Sequence, residues 1–193
     1  MNEQTGTPSR RKALKAGCGL AVLGVGAGAA YLLHRPGNDR QLVLTRLEDA
    51  LREVERLQAA APRALEPATA WGWPQTLAHC AQSIEFSVHG FPRPKSALFQ
   101  NTAGAAAFRV FAWRGRMRHS LTEPIPGAPP LDAPAPDAAA ALARLRAAVQ
   151  VFAAHTGPLQ PHFAYGELSK AQYEQAHAMH LADHLSAFDI QKS

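Results

Sequence analysis

Three histidines lie within eight residues near the carboxyl end of the chain, at His177, His180 and His184. At 100° per residue of an α-helix, His180 and His184 differ by about 40°, and His177 lies about 60° from His180 on the other side. All three therefore share one helix face. The i, i+4 pair has the spacing at which two imidazoles bind one metal ion, which predicts a divalent-metal site. Solvated or hydrogen-bonded core histidines are the alternative interpretation of this spacing.

A third ligand has to come from another helix, and His79 is the best candidate. It lies in the middle of a predicted helix that opens at Trp73-Pro74, where proline suits a first-turn position, and that breaks at Gly90. His79 is on or beside the apolar side of this helix. We therefore expect its side chain to point towards the core, where it can meet the histidines of the last helix.

Apolar periodicity and capping residues predict an all-α fold, a bundle of four long helices with an additional helix. Asp137 is a suitable N-cap, and Ser169 with Gln172 has the form of a capping box. No window shows convincing strand alternation. The predicted helices span residues 39–61, 73–89, 96–113 with a loosening near Gly104, 138–155 and 169–188.

The amino-terminal segment has the pattern of an export signal. Arg10 and Arg11 precede an almost uncharged run of eighteen residues, 16–33. A positive region, an apolar region and a small-residue exit form a secretory signal, and the arginine pair marks its twin-arginine variant. We therefore predict a twin-arginine signal at 1–30, a linker at 31–38 and a domain at 39–190 that works in the periplasm or elsewhere outside the cytoplasm.

An uncleaved membrane anchor is the alternative for the same segment. Eighteen residues just suffice to span a bilayer core of about 30 Å, and residues 13–33 would then tether the domain to the inner membrane. The glycines in the apolar run favour a signal over an anchor, because they lower both helix propensity and hydrophobicity.

Most of the formal net charge of +5 belongs to the amino-terminal segment. Removing four basic residues and Glu3 from the totals of 20 basic and 15 acidic residues leaves 16 against 14, a net charge of +2. An excess this small gives little reason to expect a nucleic-acid partner.

Several stretches of the chain have the form of family motifs. They are TLAHCAQSIEF (76–86), GFP (90–92), KSALFQNT (95–102), EPIPGAP (123–129) and HFAYGELS (162–169), followed by the histidine helix. These stretches resemble the motifs of a bacterial family called domain of unknown function 1569, and the resemblance covers about residues 39–188.

That family is similar to the DinB-like superfamily, whose members are four-helix bundles related to the YfiT metal-dependent hydrolases. In the superfamily, one histidine of the second helix and an HxxxH pair of the last helix bind a divalent metal, which implies His79, His180 and His184 as ligands. Three histidines with open positions suit Zn²⁺, Ni²⁺ or Fe²⁺. The superfamily is associated with hydrolysis and with thiol S-transfer, so activation of a bound water and activation of a thiolate both stay open.

The function predicted on this basis is that of a metal-dependent hydrolase or group transferase acting on an unknown small molecule. His177 is predicted to be a catalytic proton shuttle. The alternatives are that it orients another group or that it is an alternative metal ligand. The rival class is a non-catalytic metal-binding or ligand-binding module, and a purely structural role is third. The other expected partners are the twin-arginine translocase and a second copy in a homodimer.

Five further residues receive subsidiary interpretations. Asp183 and Glu85 are candidates for orienting the metal ligands, although such carboxylates are more often solvated. Cys80 is expected to be a small buried apolar residue. His155 and His162 bracket a Gly-Pro loop and are expected at the surface.

The stretch 109–119 combines four arginines with Trp113 and His119. It is interpreted either as an anion clamp for a carboxylate or phosphate substrate near the metal, or as a solvated helix end. Residues 123–136 contain six prolines, which predicts an ordered extended loop or a linker. Glu123 would line the mouth of a site if this loop approaches one.

Overall fold

The computed structural model describes residues 39–60, 62–65, 71–131 and 137–190. The predicted twin-arginine signal (1–30) and linker (31–38) lie outside these ranges. Within them the chain is mostly helical, with one small sheet, and no helix there has both the length and the apolar character needed to cross a membrane. The elements in chain order are α1 (Leu47–Ala59), β1 (Pro62–Ala64), α2 (Trp73–His89), α3 (Ala97–Phe99), a π-helical segment (Gln100–Gly104), α4 (Ala105–Arg114), α5 (Ala138–Ala154), α6 (Lys170–Leu185) and β2 (Phe188–Ile190).

The helices α2 and α6 lie at the centre of the packing. Helix α2 packs along α5, and both α1 and α2 contact α6. The core between them includes the buried leucines Leu57, Leu77, Leu145 and Leu185. Burying one such side chain stabilises the fold by roughly 1.5–3 kcal/mol, so the core fixes how α2 and α6 face each other. These two helices carry the three predicted metal ligands.

The predicted starts of the last two long helices are confirmed. Asp137 accepts a hydrogen bond from the backbone N–H of Ala140 at 2.7 Å. Ser169 and Gln172 form the capping box, in which each backbone N–H donates to the other side chain, at 2.8 and 3.3 Å. These bonds satisfy N–H groups that the first turn of a helix leaves free, and they fix where α6 begins.

The first helix begins at Leu47 rather than at residue 39. The preceding residues are not helical, because their backbone is bonded to the end of α6. The backbone N–H of Arg40 donates to the carbonyl of Ser186 at 2.9 Å, and that of Leu42 donates to the Ser186 hydroxyl at 2.9 Å. Leu44, which continues the apolar stripe in sequence, therefore lies outside the helix.

The all-α prediction missed a two-stranded antiparallel sheet, in which Ala64 of β1 lies opposite Phe188 of β2. The last helix accordingly ends at Leu185 rather than near residue 188. Strands of three residues are too short to show alternation in sequence. Phe188 is buried and packs edge-on against Trp73, with ring centroids 5.2 Å apart, so the sheet closes one end of the core.

The third predicted helix is loosened near Gly104, as expected, and is divided into α3, the π-helical segment and α4. A Cβ atom at Gly104 would lie 1.9 Å from the carbonyl oxygen of Ala164. The side-chain amide of Gln100 donates to the carbonyls of His162 and Phe163 at 3.3 and 3.2 Å. The π-helical segment therefore holds the turn that begins at His162.

We expect Gly104→Ala to destabilise the fold by about 1–3 kcal/mol, because the contacting atom belongs to the backbone and cannot rotate away. Urea unfolding followed by circular dichroism measures this loss. Gly72→Ala is the matched control, since its nearest contact is 3.9 Å away, and we expect it to cost about 1 kcal/mol or less. Equal losses in the two variants would contradict the close approach at Gly104.

Candidate metal site

The structure brings the three histidines predicted as ligands together. His79 lies in the middle of α2, and His180 and His184 lie one turn apart on α6. The His79 ring centroid is 5.1 Å from that of His180 and 4.8 Å from that of His184, and the latter two are 4.8 Å apart. His79 and His184 are buried, whereas His180 is partly exposed. The helix face predicted from spacing therefore meets the α2 histidine.

A fourth histidine, His119, joins this cluster and was not predicted to be a ligand. Its ring centroid lies 4.8 Å from those of both His180 and His184, and its Nε2 is 3.0 Å from Nε2 of His184. One ring nitrogen of each of the four histidines lies within 4.8 Å of the others. His119 belongs to the irregular residues after α4. No helical spacing relates it to α6, so only the tertiary structure reveals it.

Asp183 holds His119 from the position next to His184. Its Oδ2 accepts the backbone N–H of His119 at 3.1 Å and lies 2.8 Å from His119 Nδ1. The second contact has the distance of an ion pair, although the ring N–H is poorly aligned for a hydrogen bond. The carboxylate favours a proton on Nδ1, which leaves the lone pair on Nε2, the nitrogen close to His184. Asp183 can therefore orient a histidine of the cluster, as the sequence suggested, but that histidine is His119, which was not predicted to be a ligand.

Burial favours the neutral form of three of the clustered imidazoles, those of His79, His180 and His184. It lowers the pKa of His79 to about 3, and the nearby His119 contributes to the shift. Burial, followed by repulsion from neighbouring histidines, also holds the pKa values of His180 and His184 well below 6.5. A neutral imidazole offers a lone pair, which is the form in which it binds a metal. The donor set of the cluster therefore fits a divalent ion that prefers nitrogen.

Trp71 packs against the cluster and was also missed in sequence. Its ring is nearly parallel to that of His184, at 2° with centroids 6.1 Å apart, and tilted against His79 at 4.8 Å. An aromatic wall limits access of water and lowers the local dielectric constant. Trp71 precedes α2, where no periodic pattern signals its contact with α6.

His177 lies outside the four-histidine cluster that the described residues form. Its ring stacks on Tyr173 and meets Phe152 edge-on, both with centroids 5.3 Å away. Burial lowers its pKa to about 3. Among the described residues its Nε2 has no hydrogen-bond partner, and the side chain lines a cavity together with His180. This placement suits contact with a bound molecule, and a catalytic role for His177 stays a prediction.

The cavity next to the cluster has a volume of about 230 Å³. Cluster members line part of it, and Met117, Ile125 and Phe163 contribute apolar surface. An apolar cavity of about 150 Å³ suffices for benzene, so this cavity has room for a small organic molecule. Glu123 and its proline-rich loop also line it, as the sequence suggested. Residues 132–136 of that loop lie outside the described ranges.

Two sequence interpretations are corrected. His162 is buried, with 8% exposure, rather than at the surface. Its Nδ1 accepts the backbone N–H groups of Ala164 and Tyr165 at 3.1 and 3.2 Å, so it organises its own turn. Glu85 does not orient a metal ligand, because its two carboxylate oxygens pair with the guanidinium of Arg144 at 2.8 and 2.6 Å. That pair links α2 to α5.

Cys80 is buried, as expected, and burial raises its pKa further above the ordinary value, so the thiol stays protonated and is a poor ligand. In the stretch 109–119, Trp113 is 83% exposed, which agrees with a solvated helix end. The last part of that stretch differs, because Met117 and His119 line the cavity.

Fold and site together define a mostly helical protein with a candidate metal site of four histidines. A protein family of unknown function, DUF1569, matches residues 37–191. This match covers most of the chain, so the chain belongs to that family, and the resemblance drawn from the sequence motifs is confirmed. No curated protein and no solved structure matches the chain.

His162 makes the stability of the fold depend on pH. Burial and the neighbouring His177 lower its pKa from 6.5 to about 3, and the rings of Tyr165 and Tyr173 pack around it. Below about pH 6.5 the unfolded imidazole takes up a proton, whereas the folded one stays neutral until about pH 3. The unfolded state therefore binds more protons, and the free energy of unfolding decreases as the pH falls through this window.

Between pH 7 and pH 5, His162 should lower the free energy of unfolding of the wild type by about 2 kcal/mol, which is about 1.4 kcal/mol for each pH unit below 6.5. We expect His162→Asn to remove this part of the pH dependence. Asparagine keeps an acceptor near the position of Nδ1 but does not titrate. Urea unfolding at both pH values measures the difference. His89→Asn, at an exposed position, is the control and should leave the pH dependence unchanged. An unchanged pH dependence in His162→Asn would contradict this assignment.

Proposed function

We propose that the chain is a DinB-like four-helix-bundle protein that binds one divalent metal ion and acts on a small molecule as a hydrolase or group transferase. The observation that carries the proposal is the convergence of His79, His180 and His184 beside a cavity. The DinB-like assignment is supported by ligand placement, with one histidine on α2 and an HxxxH pair on the last helix, α6.

The four clustered histidines have separable tasks in this proposal. His79, His180 and His184 would hold the ion from two helices that the core fixes, and His119 would approach it from the irregular segment after α4. When bound, Zn²⁺, Ni²⁺ or Fe²⁺ supplies Lewis acidity to a coordinated nucleophile or to a polar atom of the substrate.

The residues around the cavity would bind the substrate, exclude water from it and exchange a proton with it. Trp71 limits access of water on one side of the cluster, and Met117 and Ile125 offer apolar contacts. His177 would accept or deliver a proton at Nε2, which has no partner among the described residues. Burial lowers its pKa to about 3, so the ring is neutral at pH 7, and it would accept a proton only if a bound substrate or metal raised that pKa.

The fourth histidine also favours a second candidate, a non-catalytic metal-binding module. Structural zinc sites are closed by four protein ligands, whereas catalytic sites keep one position open. The His119 side chain is 30% exposed and lies on an irregular segment, so it can leave the ion more readily than the helical ligands. Substrates for hydrolysis and thiol transfer, offered to the metal-loaded protein, separate the two: turnover supports the enzyme, and binding without turnover across the panel supports the module.

We also propose that the domain works outside the cytoplasm, in the periplasm or tethered to the inner membrane by residues 13–33. The arginine pair ahead of the apolar run supports export through the twin-arginine translocase. That route carries folded proteins, so the histidine site could bind its metal in the cytoplasm, before it meets competing ions outside.

A homodimer is expected from the superfamily, and the net charge of +2 after the signal gives no reason to propose a nucleic-acid partner.

We expect the purified protein to bind one divalent ion per chain. His180→Ala should weaken that binding by about 100-fold or more, because the loss of a residue that merely orients a ligand already lowers metal affinity by about 10–100-fold. Elemental analysis after dialysis and titration with Co²⁺ measure content and affinity. His89→Ala, exposed on the same helix as His79, is the control. Wild-type metal content in a folded His180→Ala variant, or no ion bound by the wild type, would overturn the proposal.

We expect Asp183→Ala to weaken metal binding by about 10–100-fold, because it frees the His119 ring from its orienting carboxylate. Combining it with His119→Ala should cost little more than either change alone, since both act through one contact. Glu174→Ala on the same helix is the control. Additive losses in the double variant would mean that Asp183 acts independently of His119.

A further inference from the structure

We propose that the cavity contains a subsite for the carboxylate of a small organic acid, formed by the turn from His162 to Gly166 together with Lys95. This inference deepens the proposed function, because it names the class of molecule that would lie beside the metal.

The turn is a fixed wall of the cavity. His162 and Gly166 exchange backbone hydrogen bonds of 2.8 and 3.0 Å, and the His162 ring stacks on Tyr165 at 4.2 Å and 8°. The backbone N–H of Lys95 donates to the carbonyl of Phe163 at 2.8 Å, which places Lys95 beside the turn. His162, Phe163, Tyr165 and Lys95 all line the cavity.

The position of the proton on His162 follows from its contacts. Its Nδ1 accepts two backbone N–H groups, from Ala164 and Tyr165, so Nδ1 carries no proton. A neutral imidazole must then carry its proton on Nε2. In the ranges that the structure describes, Nε2 has no hydrogen-bond partner. The ring therefore presents a preorganised N–H donor in a cavity wall.

Two further donors belong to residues that line the cavity, Lys95 and Tyr165. The ammonium of Lys95 lies over the Phe99 ring, 5.2 Å from its centroid, and supplies positive charge beside the turn. The hydroxyl of Tyr165 stays protonated because burial raises its pKa. Such a set complements the two oxygens of a carboxylate, whose hydrogen bonds to charged donors are the stronger kind. Glu123 lines the same cavity and would oppose a bound anion, so its removal should strengthen binding.

The size and apolar lining of the cavity limit the rest of the ligand. With a volume of about 230 Å³ and with Met117 and Ile125 in its walls, the cavity fits an acid with a compact apolar body, on the scale of a substituted benzene. The carboxylate would bind at the turn, and the opposite end of the molecule would point towards the histidine cluster.

Butyrate and benzoate, each compared with its own amide, test the subsite by calorimetry on the full chain. Metal is first removed by chelation, so that coordination of the acid to an ion cannot contribute. We expect at least one acid to bind about tenfold or more tightly than its amide, as a charge-assisted hydrogen bond implies. His162→Asn and Lys95→Gln should abolish this preference, whereas Glu123→Gln should strengthen it.

His162→Asn keeps an acceptor for the turn. A urea unfolding midpoint at pH 7 close to that of the wild type verifies that this variant folds. Loss of acid binding with unchanged metal affinity supports the subsite. No preference of the wild type for either acid, or the same preference in folded His162→Asn, overturns it. Failure of the wild type to bind any metal overturns the proposed function instead, and the chelated protein still reports on the subsite.

Discussion

The clustered imidazoles of His79, His180 and His184 can lie this close together only while they remain neutral. Burial removes the water that would stabilise an imidazolium, and a proton on one ring of the cluster disfavours a proton on the others, which is why the pKa values of His79, His180 and His184 are depressed. Neutral rings bring lone pairs together without a cation to share them. At 3.0 Å, Nε2 of one of His119 and His184 can donate a hydrogen bond to Nε2 of the other, whereas a divalent ion would accept a lone pair from each of the four rings.

The fold supports this convergence from several elements. The core orients α2 and α6, which carry three of the histidines. Asp183 of α6 contacts His119, which belongs to an irregular segment, and so holds it beside the other three. The end of α6 is held in turn, because Ser186 accepts the backbone N–H groups of Arg40 and Leu42. Neither the short sheet nor the extended segment before α1 contributes a ligand, yet both fix the helix that carries two of them.

The sequence revealed those parts of this arrangement that depend on neighbouring residues. Helical spacing placed His180 and His184 on one face, and capping residues gave the starts of α5 and α6, because these relations extend over three or four residues. His119 and Trp71 approach α6 from distant parts of the chain, where no periodicity relates them to it. The burial of His162 was missed for a similar reason, since its ring packs against Phe91 and Tyr173, which lie far from it along the chain.

The central claim is that the clustered histidines bind a metal ion, and anomalous diffraction from crystals grown with Zn²⁺ or Ni²⁺ tests it most directly. The account predicts one strong peak at about 2.0–2.1 Å from a ring nitrogen of each of His79, His180 and His184. Its distance to His119 would distinguish a closed site from one with an open position. An empty cluster in crystals that carry the metal elsewhere would contradict the account.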